Sequence, residues 1–133
     1  MAAPTMMTLG EYAFAMDTAA YEALARRTVW RWPEQGRAGR APALQFTGPG
    51  EDTLTLEGTL YPAFRGGLGQ LDAMRAEAGR GLPLLLMGGD GRVLGRWAVE
   101  SVEERQRVFL PGGAPKRVDF TLSLRFYGDD ADA

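Results

Sequence analysis

The stretch Arg117-Val118-Asp119-Phe120-Thr121-Leu122-Ser123-Leu124-Arg125-Phe126-Tyr127 decides the fold class. Val118, Phe120, Leu122, Leu124 and Phe126 alternate without a break against Arg117, Asp119, Thr121, Ser123 and Arg125. Period two is the mark of a strand with one buried and one wet face. Thr53 to Tyr61 repeats it, with Leu54, Leu56, Gly58 and Leu60 on one side and Thr53, Thr55, Glu57, Thr59 and Tyr61 on the other. Arg27 to Trp32 alternates as well, placing Trp30 and Trp32 on one face, and Pro33 stops it.

Outward from these anchors, Leu9 to Met16, Ala43 to Thr47, the apolar run Leu82 to Met87, Arg92 to Glu103 and Gln106 to Leu110 read as further strands. In Arg92 to Glu103, Val93, Gly95, Trp97, Val99 and Ser101 share a face. Gly88-Gly89-Asp90-Gly91 and Pro111 to Pro115 are turns, and residues 33–42 form a polar loop holding Arg37 and Arg40. The alanine-rich stretch Asp17 to Ala25 is ambiguous, with a turn of helix as one reading. One segment changes period: Leu68, Leu71, Met74 and Ala78 recur at helical spacing until Gly79 and Gly81 stop them. The expected fold is mainly β (α+β), a small antiparallel β-barrel or sandwich of about seven or eight strands with one flanking helix. It spans residues 7–127 as a single domain, after an N-terminal extension (1–6) and before an acidic tail (128–133).

The 133 residues include no His and no Cys. Thiol catalysis, disulfides, Ser–His or Cys–His nucleophile pairs and imidazole or thiolate metal sites are excluded. Carboxylate or Tyr/Lys chemistry and oxygen-ligand metals remain, but no carboxylate pair stands out. Gly66-Gly67-Leu68-Gly69 lacks the Lys-Ser/Thr of a phosphate loop and reads as a tight helix entry. Asp129, Asp130 and Asp132 read as a solvated tail rather than a cation site. No catalytic residue, cofactor or metal is expected, and the chain reads as a non-enzyme. A formal charge of −2, from 15 bases and 17 carboxylates, does not suit a dedicated nucleic-acid binder. No apolar run approaches the roughly 20 residues that span a bilayer, and residues 1–7 lack a secretion signal. Neither membrane nor specific nucleic-acid partners are expected.

Two groups have competing readings. Trp30 and Trp32, flanked by Arg27 and Arg31, suit core packing or a subunit interface better than stacking on bases or sugars. Arg37 and Arg40 are either solvated or gripping carboxylates of a neighbouring subunit. A monomeric ligand-binding barrel with Trp30, Trp32 and Trp97 around a pocket is a rival. A carboxylate-dependent hydrolase is another.

An ordered series of segments adds to this. It runs Leu9-Gly10 with Phe14; Arg31-Trp32-Pro33; Arg37, Gly39 and Arg40; Gln45-Phe46-x-Gly48-x-Gly50-Glu51; and Leu56-x-Gly58-x-Leu60-Tyr61-Pro62. Gly66-Gly67, Leu71 and Arg75, Gly81-x-Pro83-Leu84, Gly91, Val102-x-Glu104 and Phe109 follow, and Gly113-x-Pro115-Lys116-x-x-Asp119-Phe120-Thr121-Leu122-x-Leu124 closes it. Over roughly Met7 to Tyr127 the series resembles the tail protein U family of contractile-tailed temperate phages and related phage-tail-like bacteriocins. The resemblance implies a structural tail component with a tail-tube-like barrel, made in the host cytoplasm and resident in the virion tail or bacteriocin particle. It implies a six-fold homo-oligomeric ring touching tail tube and baseplate hub proteins, at the hub–tube junction or, alternatively, as a terminator ring at the head-proximal end. Under it, Trp30, Trp32, Arg37, Arg40, Arg117 and Arg125 become candidate subunit-interface residues, the 33–42 loop an arm, and strands 53–61 and 117–127 candidates for continuing the sheet between subunits. Interspersed charges of near-neutral sum would suit such a ring.

Overall fold

The computed structural model describes residues 5–15, 19, 21–62 and 69–128. The expected helix entry at Gly66-Gly67-Leu68, the tail carboxylates Asp129, Asp130 and Asp132, and residues 1–4 lie outside the described residues. Within them the chain is mainly β with one helix, as the alternation predicts. The strands are β1 (Thr5–Leu9), β2 (Tyr12–Ala15), β3 (Tyr21–Arg31), β4 (Glu34–Arg37), β5 (Arg40–Leu44) and β6 (Gly48–Leu60). Helix α1 (Gly69–Ala78) precedes β7 (Leu84–Gly88), β8 (Val93–Phe109) and β9 (Pro115–Gly128). Seven strands form one antiparallel sheet in the order β2-β1-β7-β8-β9-β6-β3, while β4 and β5 make a separate two-stranded sheet.

Four local expectations change. Leu9 to Met16 is not one strand but the corner of a hairpin: Leu9 pairs with Tyr12 across Gly10-Glu11, and Gly10 has φ 60°. The slip is legible afterwards, since Met7 and Leu9 are buried at odd positions and Tyr12 and Phe14 at even ones. Asp17 to Ala25 contributes strand rather than helix over Tyr21–Ala25, because β3 pairs along β6 from Tyr21↔Gly58 to Arg31↔Gly48. Ladder pairing outweighs alanine's helical preference. The 33–42 loop is a β4–β5 hairpin in which Arg37 faces Arg40 across the turn. Arg92 to Glu103 and Gln106 to Leu110 are one strand, β8, with a register shift against β9 between Val99 and Ser101. That bulge exchanges the two faces, so Trp97 and Val99 pack inward before it and Val102 after it.

The ladder does not close into a barrel, but the sheet is rolled. Six strand spacings of about 4.8 Å would hold the edges of a flat sheet roughly 29 Å apart. Instead the rings of Phe14 on edge strand β2 and Tyr21 on edge strand β3 meet edge-to-face, with centroids 5.9 Å apart. Among the described residues no ladder pairs β2 with β3, and this ring contact bridges them. Inside the roll lie Phe14, Leu54, Leu56, Leu86, Trp97, Phe120, Leu122 and Leu124, and α1 adds Leu71 and Met74 to the same cluster. The helix is held from both sides, by Tyr12 Oη donating to Gln70 Oε1 at 2.8 Å and by Arg75 on β8's Glu104 at 2.6 Å.

Strands 53–61 and 117–127 cannot extend the sheet to a neighbour, because β6 and β9 are interior and paired on both sides. Among the described residues the long edge without a second partner strand is β3. Two ribbons overrun the sheet at opposite ends of β9. Past Thr53↔Arg125, β3 and β6 continue to Arg31↔Gly48, and Thr47 N–H to Arg31 O (3.0 Å) and Gln45 N–H to Pro33 O (3.1 Å) carry the ribbon into β4–β5. Past Leu60↔Val118, β8 and β9 continue alone to Phe109↔Pro115. The first ribbon is called the long arm here and the second the short arm.

Candidate assembly surface

The long arm is built to be seen. Trp30 (57% exposed), Trp32, Leu44 and Phe46 all stand largely in solvent. Trp32 and Phe46 face each other across the ribbon with centroids 4.9 Å apart, so each stiffens the other. At the tip, Arg37 donates from Nε and Nη2 to the Ala41 carbonyl at 3.1 and 2.9 Å, bracing the turn, and Gly39 supplies its positive φ of 68°. Among the described residues, Arg27, Arg31, Arg37 and Arg40 have no carboxylate within 4.0 Å. At the arm's foot Arg125 does, reaching Glu100 at 3.3 Å and Glu51 at 3.8 Å.

Arg26 turns the other way, into the mouth of the roll. It pairs with Asp52 at 2.6 Å and lies over the rings of Trp97 and Phe126, 5.1 and 5.8 Å from their centroids. Its hydrogen bonds, its charge and the Thr28 hydroxyl hold the Asp52 carboxyl below the ordinary 3.8, against the pull of burial. Hydrogen bonding from Arg75, and then from Gln106, likewise holds Glu104 low.

The short arm ends in a second apolar cluster, Val108, Phe109 and Leu110, with Val108 in the left-handed region at φ 54°. At its foot Asp119 collects Arg117 at 3.0 Å, Arg107 at 3.3 Å and the Thr59 hydroxyl at 2.9 Å. Burial pushes Asp119 up, but these donors outweigh it and the carboxyl ends below its ordinary value. Beside this cluster the outer face of the sheet carries a depression of about 450 Å³. Glu22 of β3 and Glu57 of β6 line it, adjacent through the Ala23↔Glu57 register, together with the Glu103–Arg105 pair.

The six residues singled out by sequence therefore divide. Trp30, Trp32, Arg37 and Arg40 come together on the long arm, Arg125 stands at its foot, and Arg117 lies at the opposite end. Trp97 is fully buried and its indole N–H donates to Leu94 O at 3.1 Å, so the three tryptophans do not share a pocket. Leu44, Phe46 and Phe109 were not singled out. Exposed apolar residues in short strands look like core in a sequence, and only the overrun past the sheet removes their cover. No group of three or more metal-ligating side chains and no helix long and apolar enough to cross a membrane occurs among the described residues.

A rolled antiparallel sheet whose distinctive chemistry is two protruding ribbons and a free edge defines a protein of contacts. The Phage P2 GpU profile matches residues 10–129, and the chain belongs to that family, a family of structural phage-tail proteins. A probable tape measure protein of Halomonas phage phiHAP-1 is 34% identical over 127 residues, covering 94% of this chain and 14% of the relative. The chain thus spans about one-seventh of that relative's length. The sheath–tube complex of an extracellular contractile injection system in its extended state aligns over 93% of this chain and 86% of the other, with a TM-score of 0.39 and 8% identity. Overlap that loose carries no argument.

Proposed function

We propose that the chain is the repeating subunit of a ring at the baseplate hub–tube junction of a contractile tail, where it supports tube initiation. The observation that carries this reading is the free edge of β3 running into an arm of exposed aromatics. Among the described residues no second strand covers this eleven-residue edge, and such an edge is a liability unless another chain covers it. A ribbon and an edge that differ from the rest of the surface suit heterologous contacts, which close as rings. Tail tube and hub proteins are the proposed axial neighbours. The Halomonas phage relative supports a place beside a tape measure, since a segment like this chain is one part of a protein bearing that name. A terminator ring at the head-proximal end is the alternative position.

Native mass spectrometry of the purified chain, alone and with tube protein, tests the ring; one closed species, six-fold on this reading, is expected. A chain that stays monomeric at high micromolar concentration, with tube protein present, overturns it. The axial position of its density in a map of the intact particle separates the two ends.

A further inference from the structure

The net charge of −2 conceals an uneven distribution. The long arm, residues 28–52 with both of its strands, holds Arg31, Arg37 and Arg40 against Glu34, Glu51 and Asp52; the short arm, residues 107–117, holds Arg107, Lys116 and Arg117 and no carboxylate. Of 17 carboxylates and 15 bases the arms take three and six, which leaves 14 against nine in the rest of the chain. The short arm is cationic, whereas the long arm mixes both signs and becomes cationic only toward its tip, where Arg37 and Arg40 stand with Glu34 alone.

The β3–β6 ribbon repeats this polarity at closer range. Its distal part bears Arg27 and Arg31 and continues to Arg37 and Arg40, none of them in an ion pair among the described residues. Its proximal part bears Glu22 and Glu57, which also make no ion pair within 4.0 Å there, whereas Glu103 and Asp119 in the same depression are taken by Arg105, Arg107 and Arg117. Two neighbouring arginines, one on each side of the β4–β5 turn, face outward at one end; two neighbouring carboxylates, one on each of two paired strands, lie at the other.

We propose that the β4–β5 tip of one copy docks in the Glu22/Glu57 depression of a second copy of this chain. Arg37 and Arg40 then form charge-assisted hydrogen bonds with Glu22 and Glu57, and the aromatics of the long arm are covered along the same contact. Charge complementarity fixes the occupant: among the described residues Glu22 and Glu57 are the carboxylates of the depression outside ion pairs, its Arg105, Arg107 and Arg117 being held by Glu103 and Asp119, and Arg37 and Arg40 are cations at the tip outside ion pairs. The proposal rests on the ring reading and names its contact.

The test is a charge swap. Arg37→Glu with Arg40→Glu gives one variant, and Glu22→Arg with Glu57→Arg the other; circular dichroism and thermal melts establish that each is folded. Each alone should self-associate on the order of 100-fold more weakly than wild type, because like charges then meet at every contact. An equimolar mixture should recover assembly, with the two variants in one-to-one ratio by native mass spectrometry. If folded variants assemble alone like wild type, or if the mixture recovers nothing, the contact is wrong while a wild-type ring would still stand. If wild type forms no ring, both readings fall. Binding of a single-stranded DNA oligonucleotide that is lost in the Arg37/Arg40 variant, with assembly intact, overturns the proposal in favour of a nucleic-acid role for the arm.

Discussion

Gly10 shows how much a single residue can fix. It turns β1 into β2 with φ 60°, and a Cβ there would press on the Glu77 carboxylate, which accepts the Glu11 N–H at 3.1 Å, and on Leu84 Cδ2 at 3.1 Å. Gly10→Ala should cost about 1–3 kcal/mol, read as a lower urea midpoint with unchanged slope. Asp52 carries a pH signature. Its folded carboxyl, like those of Glu104 and Asp119, titrates below the ordinary value, so its contribution is present above the unfolded pKa near 4. That contribution is lost as pH falls through the lower folded value. Asp52→Asn should therefore lower Tm at pH 7 by about 2–5 °C, and the gap from wild type should close as pH drops below about 4. A gap that persists unchanged at pH 2.5 would contradict the assignment to the ionised Asp52–Arg26 pair.

Among the elements, legibility follows burial. The inward rows of β6 and β9 are one-sided, and their alternation in the sequence gives both strands and the face each buries. Where both faces are wet the signal fades: β3 is exposed along nearly all its length, and β4 is exposed throughout, so ladder pairing decides structure that side chains do not advertise. The Val99–Ser101 bulge is invisible for a different reason, since one inserted residue resets the period and resembles a strand end. At the candidate surface, Trp30, Trp32, Arg37 and Arg40 were legible by residue type, but their common location required the ribbon, and Glu22 with Glu57 required the register of two strands distant in sequence. Because residues 33–46 contribute nothing to the buried cluster, replacing them with Asn-Gly should leave Tm within about 3 °C. The same deletion should abolish ring formation in native mass spectrometry; a ring that survives it would place the contact elsewhere.

For the molecule as a whole, the placement of charge makes a prediction that net charge does not. Contacts between Arg37 and Arg40 at the arm tip and the Glu22 and Glu57 carboxylates should weaken steadily as sodium chloride rises from 0.05 to 0.5 M, as sedimentation velocity can follow. A purely apolar contact would hold or tighten over that range. The seam between Phe14 and Tyr21 has a separate consequence. In a closed barrel, strand number and shear together set the radius, and neither can change without breaking ladder bonds. Here, among the described residues, the circumference has a cut where no ladder joins β2 to β3 and a ring contact bridges it. The subunit is therefore compliant in one direction and stiff in the others, like a split collar. Amides of β2 and of the first turns of β3 should exchange with deuterium well before those of β9, and a neighbour lying along the seam can set the bore of the roll.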